Sequence, residues 1–287
     1  MGFFRNIGTT LEMIKWEHSV FALPFALCGA MLAARGIPSG HQLLWIVIAM
    51  IAARSAAMAF NRWVDARIDA ANPRTKMRAI PAGLLTANFV LLFTIAMAAV
   101  FFVAAWQLNH LALILSPIVL AVLLGYSLTK RFTRWSHVVL GFALGMAPAG
   151  AWIAVRGSLD PRILLLTAAV TFWTAGFDVL YSCQDYAHDC ESGLHSIPRY
   201  FGIANALVVA RVFHLLMLTM LALFVWAFQL GAIGVAGLVV VASLIIYEHT
   251  LVKANDLSRL NAAFFTMNGV ISILFFVFVA TRVLLHR

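Results

Sequence analysis

The sequence predicts an all-α integral membrane protein, and three observations carry that prediction. The chain is 63% hydrophobic with a mean hydropathy of +0.95, well above the roughly 45–50% apolar content of soluble domains. Its apolar residues fall in runs of about 20, the length that crosses a bilayer as helix. Its charged residues, 11% of the chain, gather mostly between those runs.

Nine spans are expected, at about 19–34, 42–60, 87–106, 110–127, 135–155, 163–182, 203–228, 230–251 and 262–281. The first is short, and the seventh contains Arg211 and His214. Ahead of them, residues 1–17 carry Glu12, Lys15 and Glu17, with His18 next, so no cleavable leader is expected. Phe3, Phe4, Leu11 and Ile14 suit a segment lying in the membrane interface. The intervals between spans are short, which predicts one transmembrane domain over 1–287.

The net charge of +9 follows the spans. The N-terminus and the loops after spans 2, 4, 6 and 8 carry thirteen basic residues, among them Arg74, Lys76, Arg78, Lys130 and Arg131. The other side holds five: Arg35, Arg156, Arg162, Arg282 and Arg287. The positive-inside rule makes the first side cytoplasmic, with the N-terminus inside and the C-terminus outside. A bacterial plasma membrane is the expected location, and no nucleic-acid partner is expected. Cys28, Cys183 and Cys190 form no CxxC pair, so neither a disulfide framework nor a zinc site is expected.

The second and sixth spans end in matching ladders. Asn61, Asp65 and Asp69 recur every four residues, and Tyr181, Asp185 and Asp189 do the same 120 residues later. Residues four apart stack on one helix face. Only 11 acidic residues exist in the chain, so four aspartates in two ladders is a concentration. Each ladder is followed by a polar loop with Ile-Pro and then a Gly, at Ile80-Pro81 and Gly83 and at Ile197-Pro198 and Gly202. This pattern predicts two pseudo-repeated four-helix halves plus a ninth helix, with the ladders facing each other across a shared cavity. The motif regions are 61–83 and 181–202, both on the cytoplasmic side.

Carboxylates are hard ligands suited to magnesium, which binds one or two of them together with substrate phosphates. Lys130 and Arg131, after Tyr126 and Ser127, end the fourth span on the same side, and Arg74, Lys76 and Arg78 follow the first ladder. Such cations bind phosphate oxygens. Arg54 and Asp178 each lie seven residues before a ladder residue, within spans, and are expected to form a pair beneath the metal layer. Phe60, Trp63, Trp173, Phe177 and Tyr181 lie around the same helix ends and suit a lipid channel or a belt. His18, His188 and His195 read as surface histidines. A cation transporter is the competing class, but its acids belong near the bilayer midplane.

These residues resemble a known family. Asn61-x-x-x-Asp65-x-x-x-Asp69, followed by Asn72-Pro73-Arg74-Thr75-x-x-Arg78-x-Ile80-Pro81-x-Gly83, is similar to the first motif of the UbiA superfamily of intramembrane prenyltransferases. Tyr181-x-x-Gln184-Asp185-x-x-x-Asp189, followed by Gly193-x-His195-Ser196-Ile197-Pro198-x-x-Phe201-Gly202, resembles its second. Tyr126-Ser127-x-x-Lys130-Arg131 resembles its basic motif. The resemblance implies nine helices around a central cavity and magnesium-dependent transfer of a polyprenyl group from its diphosphate to an aromatic acid. The branch it is most similar to acts on 4-hydroxybenzoate in quinone biosynthesis. It also resembles enzymes that prenylate dihydroxynaphthoate-type acids on the futalosine route to menaquinone.

The resemblance implies Asp65, Asp69, Asp185 and Asp189 as metal ligands. It gives Lys130, Arg131 and Tyr181 catalytic roles, with Asp185 also orienting or deprotonating the acceptor. Asn61, Arg54, Arg67, Arg74, Arg78, Tyr126 and Asp178 are then the substrate-binding set. Two positions depart from the pattern. Arg62 stands where many members carry Asp, and Ala66 stands where many quinone-branch members carry a basic residue.

Overall fold

The computed structural model describes residues 3–15, 19–260 and 266–285. His18, and the side chains of Phe3 and Phe4, lie outside the described residues. Twelve α-helices are labelled here in chain order: α1 (Phe3–Ile14), α2 (Ser19–Ala34), α3 (Gly40–Val64), α4 (Ala66–Ala71), α5 (Ala87–Leu108), α6 (His110–Thr129), α7 (Ser136–Arg156), α8 (Ile163–Ser182), α9 (Tyr186–Ser192), α10 (Ile197–Ala227), α11 (Gly231–Leu251) and α12 (Asn268–Leu285). A short 3-10 turn, Cys183–Asp185, joins α8 to α9.

Eight helices among the described residues are long and apolar enough to cross a membrane, and Ala22–Ala34 adds a shorter apolar helix. This is close to the expected nine and consistent with an integral membrane protein. The seventh expected span begins six residues early, at Ile197. Gly202 breaks it there, with φ 76° and ψ 161°, so the regular part begins where the apolar run does. Large apolar side chains cover the outside, with Trp106, Leu92 and Trp226 each at least 65% exposed.

Helix ends follow from local chemistry. Ser39 and Gln42 form a reciprocal capping box at the start of α3. Thr86 and Asn109 cap α5 and α6 through their side chains. Pro73 makes the preceding residue extended, and Asn72 (φ −89°, ψ 120°) ends α4 accordingly.

Small residues set the central packing. A Cβ on Gly141 or Gly145 of α7 would collide with Thr171 and Thr167 of α8, and one on Gly29 of α2 would collide with Pro148 of α7. The backbones approach closely there, the usual means of packing helices in lipid. α8 is the most enclosed span. It packs against both α7 and α10, while α2 closes the ring between α7 and α12. On the α10–α12 side, Phe25, Trp173, Met217, Leu221, Phe224 and Phe275 fill the core.

α1 departs from a purely interfacial segment. Met13 and Ile14 are buried against Ala59, Ala79, Leu85 and Val90, whereas Leu11 stays exposed. The apolar end of α1 finds a better partner in α3 and the loop after α4 than in the interface.

Candidate active site

An elongated cavity of about 860 Å³ runs through the bundle. Every described lining residue falls between Thr9 and Tyr181, on α1, α2, α3, α5, α6, α7, α8 and their loops. The expected cavity shared between the halves is present but uneven: the second half contributes only α7 and α8, because aromatic residues fill its α10 side. The lining runs from Arg78 and Tyr181 at one end to Leu108, Leu159 and Leu164 at the other. That is the length of α6, about 30 Å at 1.5 Å per residue. Ile51, Ile118 and Phe142 line it and are each at least 46% exposed, so the cavity reaches the apolar outer surface.

The two ladders come together at one end of this cavity. Asp65 has φ −92° and ψ 2°, and Asp185 has φ −95° and ψ 5°. Both helices thus break at the same rung, which repeats the 120-residue offset in the backbone itself. The break is mild on the first ladder: the Asp65 amide still donates to the Asn61 carbonyl at 3.0 Å, and the Asp69 amide to the Asp65 carbonyl at 2.8 Å. Asp69 and Asp189 are buried on the short helices α4 and α9.

Buried carboxylates require counter-charges and hydrogen bonds. Asp65, with no exposed surface, receives Lys130 Nζ at 2.5 Å and Arg131 Nη2 at 3.1 Å. Asn61 Nδ2 donates to it at 3.0 Å and to Ser127 Oγ at 3.3 Å. Asp69 receives Arg78 Nη1 at 2.7 Å. Arg74 grips Asp185 as a fork, Nε at 2.8 Å and Nη2 at 2.5 Å, and Asn72 adds a third donor at 2.9 Å. Burial alone would lower the Arg74 pKa, but the hydrogen-bonded Asp185 carboxylate outweighs it and holds the guanidinium above its ordinary value. Arg74 Nη1 also reaches the Tyr181 hydroxyl at 3.4 Å, with its guanidinium 5.4 Å from that ring's centroid. The turn that aims Arg74 is local: its amide donates to Asn72 Oδ1, and Thr75 Oγ1 donates to the Asp69 carbonyl.

The cavity wall at this end is cationic. Arg54, Arg62, Arg74 and Arg78 line it beside Lys15, Glu12 and Asp178, and two of them hold ladder aspartates, Arg74 on Asp185 and Arg78 on Asp69. Arg62, at the departure from the family pattern, donates to Asn61 Oδ1 at 3.1 Å and faces the cavity. Tyr126, Asp178, Phe177 and Tyr181 line the same end.

Not every expected site residue joins. Arg67 is exposed on α4 and does not line the cavity, because the four-residue period of the ladder points it outward. Arg54 and Asp178 form no ion pair among the described residues. Arg54 Nη2 donates to the Lys15 carbonyl at 3.3 Å, and Asp178 Oδ2 pairs with His137 Nδ1 at 2.7 Å. The heptad spacing put each on its ladder's side but gave no information about the partner helix. Trp173 belongs to the core, and Phe60 and Trp63 stack on each other at 5.9 Å outside the cavity lining. His188 contacts Ser192, and His195 stacks on Tyr200, as surface groups. Asn72 and His137 were absent from the expected site set. Asn72 was visible within the loop motif, whereas His137 left no signal in the sequence.

The donor set fits a hard divalent cation. Asp69 Oδ2 is buried without a hydrogen-bond partner, an orphaned acceptor at the site. Among the described residues no three acidic or imidazole side chains converge as a ready-made metal cluster. A cation here would have to complete its shell with substrate oxygens, as magnesium does with phosphates.

This is the architecture of an intramembrane enzyme that handles an anionic head joined to an apolar tail. Residues 22–270 match the family model of the UbiA prenyltransferase family. The 4-hydroxybenzoate octaprenyltransferase of Tolumonas auensis is 34% identical over 271 residues, covering 94% of this chain and 91% of that one. The protein of the same name from Vibrio cholerae is 31% identical over 269 residues, covering 93% of each. A UbiA homologue from Aeropyrum pernix, solved in its apo form, superimposes with a TM-score of 0.84 at 33% identity, covering 92% of this chain and 98% of that one. A UbiA homologue from Archaeoglobus fulgidus bound to DMAPP and Mg2+ shares the fold, with a TM-score of 0.75 at 17% identity over 96% of this chain and 99% of that one. The chain belongs to the UbiA prenyltransferase family and is a prenyltransferase.

Proposed function

We propose that this protein transfers a polyprenyl chain from its diphosphate to an aromatic acid of the 4-hydroxybenzoate type, with magnesium, at the cytoplasmic face of a bacterial plasma membrane. The observation that carries the reading is the cavity's polarity: four arginines, two of them paired with ladder aspartates, at one end, and an apolar tunnel through the rest. A diphosphate suits the first and an isoprenoid tail the second. The relatives' names supply the acceptor class, and the Archaeoglobus fulgidus relative bound to DMAPP and Mg2+ supports the donor and the metal.

Asp65, Asp69, Asp185 and Asp189 would hold the metal, which when bound neutralises diphosphate charge as a Lewis acid. Arg74, Arg78, Lys130 and Arg131 exchange their carboxylate partners for diphosphate oxygens. As the allylic C–O bond breaks, its electron pair leaves with the diphosphate, and these cations hold the charge that develops there. Phe177 and Tyr181 offer ring faces to the allylic cation. A ring carbon of the acceptor forms the new C–C bond, and the ring then gives its proton to the released diphosphate. The apolar tunnel keeps water from the cation.

Arg54 supplies a cation for the acceptor carboxylate. The acceptor-orienting acid moves from Asp185 to Asp178. Asp185 is committed to the metal and does not line the cavity, whereas Asp178 keeps 26% of its side chain exposed on the cavity wall. Its free oxygen accepts from the acceptor hydroxyl.

The test is extraction of prenylated product from purified protein in lipid, given labelled polyprenyl diphosphate and either 4-hydroxybenzoate or a dihydroxynaphthoate. Product should form with the benzoate, vanish in EDTA and return with magnesium. Full turnover in chelator would sink the metal role, and product with the naphthoate alone would reassign the acceptor.

A further inference from the structure

We propose that His137 is a positioning residue that fixes the Asp178 carboxylate and through it orients the aromatic acceptor, an inference that rests on the acceptor reading above. His137 projects from the first turn of α7 and is 4% exposed. Its Nδ1 lies 2.7 Å from Asp178 Oδ2, and its Nε2 lies 3.3 Å from the backbone nitrogen of Ile197. A backbone N–H can only donate, so Nε2 is the acceptor and the ring hydrogen resides on Nδ1. The tautomer is thereby set by the first residue of α10, and the ring donates to Asp178.

Among the described residues this is the one hydrogen bond the Asp178 carboxylate receives from a side chain. It captures Oδ2 and leaves Oδ1 to the cavity. A carboxylate on the wall without that bond would rotate among several orientations, and placement errors of about 1 Å cost on the order of 100-fold in rate. The contact joins three elements: α7 supplies the ring, α8 the carboxylate, and the turn into α10 the amide. The second motif loop, which follows Asp189, is thus tied to the acceptor's position as well as to the donor's.

A purely structural role is the competing explanation, in which His137 serves only to satisfy the Ile197 amide. Two substitutions separate the roles. His137→Asn places an amide N–H at the position of Nδ1 and restores the bond to Asp178. His137→Gln places an acceptor at the position of Nε2 and restores only the bond from Ile197. With His137→Leu alongside, kcat and KM are measured separately for acceptor and donor, and thermal midpoints report folding.

His137→Leu and His137→Gln should lower acceptor kcat/KM about tenfold to 100-fold. Donor KM should change less than about twofold, because the diphosphate groups are untouched. His137→Asn should recover most of the loss. In an Asp178→Asn background, His137→Leu should add little further loss. Recovery by Gln and not by Asn overturns the proposal, as do wild-type acceptor kinetics in all three variants. If His137→Leu does not fold, the Asn and Gln comparison decides. Wild-type protein that prenylates no aromatic acid overturns the acceptor reading and this proposal together, whereas active wild type with unchanged variants overturns this proposal alone.

Discussion

The two halves of this molecule repeat in backbone and differ in filling. α3–α4 and α8–α9 carry the same ladder with the same break, at Asp65 and Asp185. Yet a cavity of about 860 Å³ opens between the first half and the α7–α8 pair of the second, while a void among Phe25, Trp173, Met217, Leu221 and Phe275 on the α10–α12 side measures about 10 Å³. Small residues make the first region hollow: Ala53 and Ala57 of α3 and Ala143 and Ala147 of α7 stand on its walls. Aromatic rings make the second solid, with Trp173, Phe224 and Phe275 fully buried. Charge divides the same way. The cations at the site, Arg54, Arg62, Arg74, Arg78, Lys130 and Arg131, all come from the first half, and the second contributes acids. The second ladder therefore borrows its counter-charge, and Arg74 on Asp185 is an ion pair that joins the halves. The repeated ladders thus frame an uneven interior, open among α3, α6 and α7 and filled by rings toward α10 and α12.

Breaking both ladders should have the largest effect. Asp65→Ala or Asp185→Ala should lower product formation about 1,000-fold or more, with unchanged membrane insertion measured by detergent-extracted yield. Filling the hollow region comes next. Ala57→Trp should cost about 100-fold in kcat/KM with a long-chain donor, by denying the tail its path. A short-chain donor should lose less, and the ratio of the two rates is the readout. Hollowing the solid region should instead cost stability. Trp173→Ala should destabilise by about 3 kcal/mol through loss of packing, seen in the thermal midpoint, with donor KM changed less than about threefold. The smallest effect is expected at Arg67, where Ala should leave kcat/KM within about twofold, since this exposed side chain has no charged partner among the described residues.

Much of this was legible in the sequence because it is periodic. The spans follow from hydropathy, and the apolar run expected for the seventh begins just after the Gly202 break, where the regular part of that helix starts. The ladders follow from four-residue spacing, and the ends of both helices place them together. Tertiary partners were not legible. Arg54 and Asp178 occupy matching positions on two helices, and spacing suggested a pair. The folded chain instead gives each a partner from elsewhere, Lys15 and His137. His137 stands 41 residues from Asp178 and belongs to no motif. Asymmetric filling was also hidden, since hydropathy weighs alanine and phenylalanine alike as apolar while volume separates them. Arg74 was recognisable as a cation near phosphate, but its grip on Asp185 across 111 residues appears only in the fold.

The central claim is that the hollow region holds the donor, head at the arginines and tail along α3 and α6. A polyprenyl diphosphate carrying a photoreactive diazirine along its tail, crosslinked to the protein in lipid with magnesium and mapped by peptide mass spectrometry, tests it most directly. Labels should fall on 40–64 and 110–129, including residues near Met50, Leu115 and Val119, and should disappear when unlabelled donor competes. Competable labels concentrated on 231–251 and 268–285 would contradict the account.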